Sequence, residues 1–401
     1  MKAAIIGCGF SGQVHAAALR ACGVEIAAVV SVDEQAVRRF AEQWNIPVFG
    51  TSQELAFADE IDVVHICTPP NTHGQIVRDM LSHKKHVLCE KPLSLDEKEA
   101  AELADLADAS GLVCALTFNV RYHMACARAK EILDSGELGR VLMIHGNYMQ
   151  EFHALPAPMD WRYNETLAGT MRAVSEIGSH WLDLASYLTG LRAEAVSATF
   201  GCFHPQRVLK DGMMYPVHQG VEGTPVAVHT EDAAAVTIRY ENGVLGNVLL
   251  SEVSPGRGNR LTIEITCENG NLWWNEEDNN LLHTARKGQG VHTEVFAFGN
   301  GFSDTFQALV REMYEVIQGK ASAKSTYPTF AQGAQTAAVC RAVYDSAKND
   351  SRWTWVERQG KACSRRTRFR TCIVWTRMKC IIFISGTRWN CASSCRTALR
   401  A

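Results

Sequence analysis

The segment AAIIGCGFSG, residues 3–12, constrains this chain more than any other stretch. A short apolar run ends in Gly7, Gly9 and Gly12, spaced as Gly-x-Gly-x-x-Gly. That spacing fits a strand turning tightly into a helix. The first glycine permits the turn, the second lets a pyrophosphate approach the backbone, and the third lets helix pack on strand. The first N–H groups of such a helix have no partner within it and face an anion. The motif stands in the strand–turn–helix context it requires, so a dinucleotide-binding unit is expected here.

The next hundred residues extend the pattern. Apolar runs at 25–31, 61–68, 85–90 and 112–118 alternate with amphipathic segments at 13–22, 33–44, 73–82 and 95–110. Near-continuous Val, Ile, Ala and Cys runs suit strands covered on both faces. Strand–helix alternation at this spacing predicts a doubly wound parallel sheet over residues 1–120. Ser94 and Glu97 carry the spacing of a capping box before the fourth helix. After residue 120 the pattern changes. A helix is expected at 123–134, a strand at 140–150, a loop at 152–169 and a helix at 173–189. Strands and turns fill 193–284, and helices at 303–318 and 329–347 close the domain. The expected fold is therefore α/β: an N-terminal Rossmann domain and, over 121–357, an α+β domain with an open, mostly antiparallel sheet.

Composition excludes some partners. The formal charge of −3 gives no general pull toward nucleic acid or an anionic membrane. No apolar run reaches the roughly 18 residues that a spanning helix needs. The start of the chain lacks a secretory pattern, and the cysteines before residue 358 show no metal-type pairing, so a cytoplasmic protein with reduced thiols and no metal is expected. Residues 358–401 stand apart. They hold nine arginines and two lysines and no acid, so all 43 acidic residues precede them. A basic nucleic-acid arm would not be so rich in Trp, Ile and Cys, and the cysteine spacing lacks a CxxC pair. This segment reads as an appended, frame-shifted or read-through sequence and is left out of the fold.

Four further clusters carry chemistry. At the end of the second strand a nucleotide-binding chain needs a group for the adenosine ribose. Ser31 stands there and Asp33 follows; Ser31 leaves room for a 2′-phosphate, but no arginine follows it directly, so NAD and NADP both stay open. CTPPNTHG, residues 67–74, leaves the fourth strand on the same side. HVLCEKPLS, residues 86–94, leaves the fifth through Glu90-Lys91-Pro92. Proline biases the preceding residue toward extended backbone, so Lys91 is held at the strand end, on the crevice side; whether its bond to Pro92 is cis stays open. EIGSHWLD, residues 176–183, places Glu176, His180 and Asp183 on one face of a helix, a set suited to moving protons.

In order along residues 1–357, GCGFSG, TPPNTH, CEKP, SGELGRV and EIGSHWLD resemble the glucose–fructose oxidoreductase and inositol dehydrogenase family (Gfo/Idh/MocA). The resemblance implies NAD(P)-dependent hydride transfer to or from a hydroxyl of a sugar, polyol or glycoside. It implies Lys91, His180 and Glu176 as catalytic residues, with Glu176 where aspartate is common. It implies a cofactor site at Gly7, Gly9, Phe10, Ser11, Gly12, Ser31, Asp33, Thr68, Pro69, Asn71, His73, Glu90 and Lys91. Asp183, Arg121, Trp161 and Arg162 are expected at the substrate. TMRAVSEIGSHW, HTEDAAAV and SEVSPGRGNRLTIEI look like members acting on anhydrosugars such as levoglucosan, or oxidising glycosides. The family also includes redox-assisted glycosidases and non-catalytic dinucleotide-binding regulators. Pairing through the open sheet into a homodimer or homotetramer is implied as well.

Overall fold

A computed structural model describes residues 1–158, 161–299, 301–320 and 326–357, and the backbone of 373–376, 379–384 and 387–390. Six strands form the first sheet: β1 (Lys2–Ile6), β2 (Glu25–Val30), β3 (Val48–Gly50), β4 (Val63–Ile66), β5 (His86–Cys89) and β6 (Cys114–Leu116). Their order is β3-β2-β1-β4-β5-β6, and every pairing is parallel. The helices between them are α1 (Phe10–Ala21), α2 (Glu34–Trp44), α3 (His73–Ser82) and α4 (Glu97–Ser110). Successive strand residues point to opposite faces. Ile6, Val30 and Val64 accordingly join one apolar cluster with Val77, Met80 and Leu103, while Ile5, Val29 and Val63 join another with Leu19 and Phe40. Burial on both faces is why these strands read as continuous apolar runs.

The fourth helix begins later than the capping-box spacing suggests. Asp96 is the N-cap, accepting from the N–H groups of Lys98 and Glu99. Ser94 instead bonds the Glu99 carboxylate at 2.5 Å and receives the Asp96 N–H.

The second layer holds α5 (Met124–Asp134), β7 (Val141–Met149), β8 (Ala157–Pro158), α6 (Glu165–Ala168), a π turn over Val174–Gly178 and α7 (Ser179–Thr189). Strands β9 (Ala193–Gly201), β10 (Gln206–Lys210), β11 (Met213–Pro216), β12 (Thr224–Ala227), β13 (Ala233–Tyr240), β14 (Leu245–Ser251), β15 (Arg260–Cys267), β16 (Gly270–Asn275), β17 (Leu281–Arg286) and β18 (Val291–Val295) follow. Two helices, α8 (Phe302–Ile317) and α9 (Phe330–Lys348), and the short β19 (Thr354–Trp355) complete it. The large sheet runs β18-β17-β16-β15-β7-β14-β13-β9-β19 and is antiparallel except at β7–β14. Alternate residues of β13 and β15 are buried, so one face packs on α7 and α9 and the other stays open. A small sheet, β12-β10-β11-β8, sits beside it.

The last two helices reach back to the first sheet. Leu309, Val310 and Met313 of α8 pack in the cluster that holds Ile5 and Leu19. From α9, Phe330 and Ala334 join the other Rossmann cluster, while Val339 and Val343 join the core of the second layer. Residues 1–359 thereby form one compact unit. In the basic tail, β20 (Ile373–Thr376), β21 (Lys379–Ile384) and β22 (Thr387–Asn390) make a three-stranded antiparallel sheet. Its remaining residues, on which the reading of an appended segment also rests, lie outside the described ones.

Candidate active site

The glycine turn has the shape of a phosphate cradle. Gly7 adopts φ 104°, and a Cβ there would meet the Cys67 carbonyl at 2.5 Å. A Cβ on Gly12 would meet the Gly7 carbonyl at 2.3 Å, whereas one on Gly9 would meet nothing within 4 Å. The first and third glycines are thus required by packing, and the second faces open space at the start of α1, where the free N–H groups point. These residues fit a dinucleotide. Phe10 is exposed and Ser11 half-buried at the same helix start. Ser31 bonds the Gly50 carbonyl through its N–H, and the Asp33 carboxylate caps α2 through the Ala36 N–H. Arg38 lies over the Phe49 ring at 5.3 Å, near Glu34.

The exits of β4 and β5 are tied together from inside. His73 is buried, with Nδ1 2.8 Å from the Pro92 carbonyl and Nε2 2.9 Å from the Thr68 carbonyl. It braces the loop after β4, on which Asn71 stands exposed and Pro69 half-exposed. The Lys91–Pro92 bond is cis. Glu90 fixes the turn: its Oε2 accepts from the Thr117 hydroxyl at 2.7 Å and the Lys91 N–H at 3.1 Å. Burial alone would push this carboxyl up, but bonds from His15 and Thr117 and the charge of Lys91 bring it down to about 2.

Lys91 Nζ donates to the Glu176 carbonyl at 3.1 Å, which joins the strand end to the second layer. His180 stands beside it, edge-on to Phe118 at 5.8 Å, with a buried Nδ1 that has no hydrogen-bond partner. Burial, then the charge of Lys91, lowers the imidazole pKa to about 3, so the ring is neutral. No hydrogen bond joins Glu176 to His180, although the sequence spacing put them on one face. The physical reason is the π turn over 174–178, a device frequent at functional sites. It turns the Glu176 carboxylate toward Arg162, whose Nε donates to Oε2 at 3.0 Å, and leaves Oε1 unpaired. Arg162 also lies over the Trp161 ring at 4.6 Å.

Arg121 and Asp183 are brought together rather than to an open surface. Arg121 Nε donates to Asp183 Oδ2 at 2.6 Å and a terminal nitrogen donates to Oδ1. Both are buried, and Arg121 also donates to Gln332 Oε1 at 3.1 Å. The pair locks α7 to α9 behind the site.

The sequence reading missed a second buried cluster. Arg172 donates to Glu252 Oε2 at 2.9 Å and to Asp232. Glu231 Oε1 accepts the N–H groups of Arg172 and Val174 where the π turn starts. His153 receives or donates a bond at 2.7 Å with the Tyr163 hydroxyl, and burial with Arg172, Arg207 and Arg162 lowers its pKa to about 2. Donor atoms of His153, Glu176 and Glu252 lie within 4.8 Å of one another, a spacing that suits a cation. Arg162 and Arg172 already supply positive charge there. The available signal was three acids and an arginine inside TMRAVSEIGSHW, HTEDAAAV and SEVSPGRGNRLTIEI, in or beside apolar stretches.

A parallel six-stranded sheet with this cradle, facing a lysine and a neutral histidine, defines an NAD-binding oxidoreductase. Residues 1–118 match the oxidoreductase family with an NAD-binding Rossmann fold, and 126–273 match the GFO/IDH/MocA C-terminal domain. The chain belongs to the Gfo/Idh/MocA family. It is 29 % identical over 394 residues to levoglucosan dehydrogenase of Pseudarthrobacter phenanthrenivorans, covering 89 % of this chain and 98 % of that one. It is 25 % identical over 248 residues to myo-inositol 2-dehydrogenase of Thermotoga maritima, covering 61 % and 67 %. A solved levoglucosan dehydrogenase in complex with NADH and L-sorbose superposes with a TM-score of 0.81 at 27 % identity, covering 90 % of this chain and 99 % of that one. Among the described residues no helix is long and apolar enough to cross a membrane.

Proposed function

We propose that this protein is an NAD-dependent dehydrogenase that oxidises a hydroxyl of a sugar, anhydrosugar or polyol. The observation that carries the reading is Lys91, held at the end of β5 with its ammonium on the Glu176 carbonyl, beside the neutral His180. A bound nicotinamide supplies the hydride acceptor. Lys91 donates to the reacting oxygen and stabilises the negative charge that develops on it. His180, neutral with Nδ1 unpaired, accepts the hydroxyl hydrogen. Glu176 acts on the substrate side, through Arg162, rather than on the imidazole. The Arg162–Trp161 stack offers a sugar an aromatic face and hydrogen-bond donors. NAD is favoured over NADP because Arg38, the nearest arginine after Ser31, is engaged with Phe49 and Glu34. The family's pairing through the open sheet belongs to the same reading; elution of the purified protein as a monomer would count against it.

A panel of polyols, aldoses, anhydrosugars and glycosides, run separately with NAD and NADP, tests the proposal. Reduced cofactor should appear with at least one cyclic polyol or anhydrosugar, and with NAD before NADP. Release of an aglycone without net reduced cofactor would move the reading to a redox-assisted glycosidase. Lys91→Ala should lower kcat by about 10²-fold or more while NADH binding, read by nicotinamide fluorescence, stays within a few-fold. Turnover near wild type would remove Lys91 from the chemistry.

A further inference from the structure

Three side chains from separate elements meet at the π turn: His153 from the turn after β7, Glu176 from the π turn itself, and Glu252 from the end of β14. Donor atoms of the three lie within 4.8 Å of one another, and His153 Nε2 stands 3.7 Å from Glu252 Oε2. The His153 N–H donates to the Glu252 carbonyl at 2.9 Å, so the backbone fixes these two together. Both residues are 1 % exposed. Yet His153 Nε2 and Glu176 Oε1, each buried, have no hydrogen-bond partner among the described residues. Buried polar atoms are seldom left so, and those that are call for a water, an ion or a chemical role.

Each side chain is also held from behind. His153 Nδ1 lies 2.7 Å from the Tyr163 hydroxyl, Arg162 Nε donates to Glu176 Oε2 at 3.0 Å, and Arg172 Nε donates to Glu252 Oε2 at 2.9 Å. Metal ligands are oriented in this way, the imidazole through its second nitrogen and the carboxylates through outer donors. With Nδ1–H donating to the Tyr163 oxygen, the lone pair of Nε2 is left for a cation shared with the two carboxylates.

We propose that His153, Glu176 and Glu252 bind one divalent first-row transition cation, zinc by their donor set. Bonds of about 2.0–2.2 Å to one nitrogen and two oxygens put tetrahedral ligand atoms roughly 3.4 Å apart. The 3.7 Å between His153 and Glu252 needs little adjustment to reach that. Calcium takes about six to eight oxygens and magnesium an octahedron of them, which one imidazole and two carboxylates do not offer. The nearby guanidiniums do not replace the cation. Arg162, Arg172 and Arg207 reach His153 with their charge, but four carboxyls, Glu176, Glu231, Asp232 and Glu252, crowd the same cluster. Neither Arg162 nor Arg172 donates to His153 Nε2. Metal ligands bind without their protons, so the cation displaces the one that Glu252 keeps in the metal-free protein. The Glu176 side chain is 16 % exposed, and its carbonyl receives Lys91 Nζ at 3.1 Å. The fourth position, which three protein ligands leave for water or a substrate hydroxyl, therefore opens toward the crevice.

The site does not depend on the dehydrogenase reading, and the test keeps the two apart. Full-length protein, purified without a metal-affinity tag and stripped with a chelator, is titrated with Zn²⁺, with Co²⁺ as a coloured stand-in, and with Mg²⁺ for comparison. Wild type should take up one Co²⁺ with visible d–d bands and no thiolate charge-transfer band, release it to Zn²⁺, and ignore Mg²⁺. Tyr163→Phe should weaken Zn²⁺ binding by about 10–100-fold, the usual cost of losing an outer partner, and His153→Gln and Glu252→Gln by more. Circular dichroism checks that each variant is folded, and either ligand variant suffices if the other is not. No uptake of Zn²⁺ or Co²⁺ by wild type overturns the site and leaves a buried water on His153 Nε2. Uptake that both ligand variants retain, or a thiolate band, overturns it by placing the metal on cysteines. A wild-type protein that binds the cation but oxidises nothing in the substrate panel overturns the dehydrogenase reading and leaves the site standing.

Discussion

Glu90 and Glu252 both sit in the walls of the crevice, and they titrate in opposite directions. Glu90 has donors aimed at its oxygens, from His15, the Thr117 hydroxyl and the Lys91 N–H, and the Lys91 charge nearby. Its carboxyl falls to about 2 against the cost of burial. Glu252 has a guanidinium, Arg172, but also shares its space with Glu176 and Glu231. Burial, then the charge of Glu176, raises its carboxyl to about 8. An opposite charge nearby is therefore not enough to keep a buried carboxylate ionised. Directed hydrogen bonds added to the Lys91 charge do it at Glu90; burial and crowding with like charges defeat it at Glu252.

The largest break in this comparison comes from Arg172. Arg172→Met leaves Asp232 buried without its cation and Glu252 without its donor, and such losses cost about 3–5 kcal/mol. Urea unfolding should show that drop. A loss under about 1 kcal/mol would mean that the buried acids do not depend on Arg172. Next comes Glu90→Gln, which keeps the shape but faces an amide NH₂ toward a donor. A cost of about 1–3 kcal/mol is expected, with kcat falling as the Lys91 turn loosens. An unchanged unfolding midpoint would show that the donors around Glu90 do not depend on its charge.

The two regions were not equally legible in the sequence. The Glu90–Lys91–Pro92 turn could be read because local rules converge on it: an apolar strand, a proline and a nearby glycine cradle. The sheet around it was legible because strands buried on both faces leave continuous apolar runs. The Arg172 cluster joins residues 172, 231, 232 and 252 from separate elements, and no periodicity links them. Glu176 and His180 were expected on one face because four residues span one α-helical turn; the π turn changed that geometry. His15 and His65 lie 50 residues apart and meet only when the parallel sheet forms. The two-residue β8 falls in the stretch read as a loop, and β10, β11 and β12 were not told apart within 193–284 because each is only four or five residues long.

The sharpest test of the contrast depends on sign rather than on size. Glu90 has a folded value below its ordinary 4.5, so its stabilisation is complete above about 4.5 and lost as pH falls through about 2. Glu252 is the reverse. Between about 4.5 and about 8 the folded form keeps a proton that the unfolded chain has released, so stability declines as pH rises across that window. Glu252→Gln removes this term while keeping size and an acceptor oxygen for Arg172. Relative to wild type, the variant should therefore gain stability steadily from pH 5 to pH 8.5, read as a shift in urea midpoints. A difference between the two proteins that stays constant with pH would mean that Glu252 is ionised in the folded state, and that Arg172 alone offsets its burial.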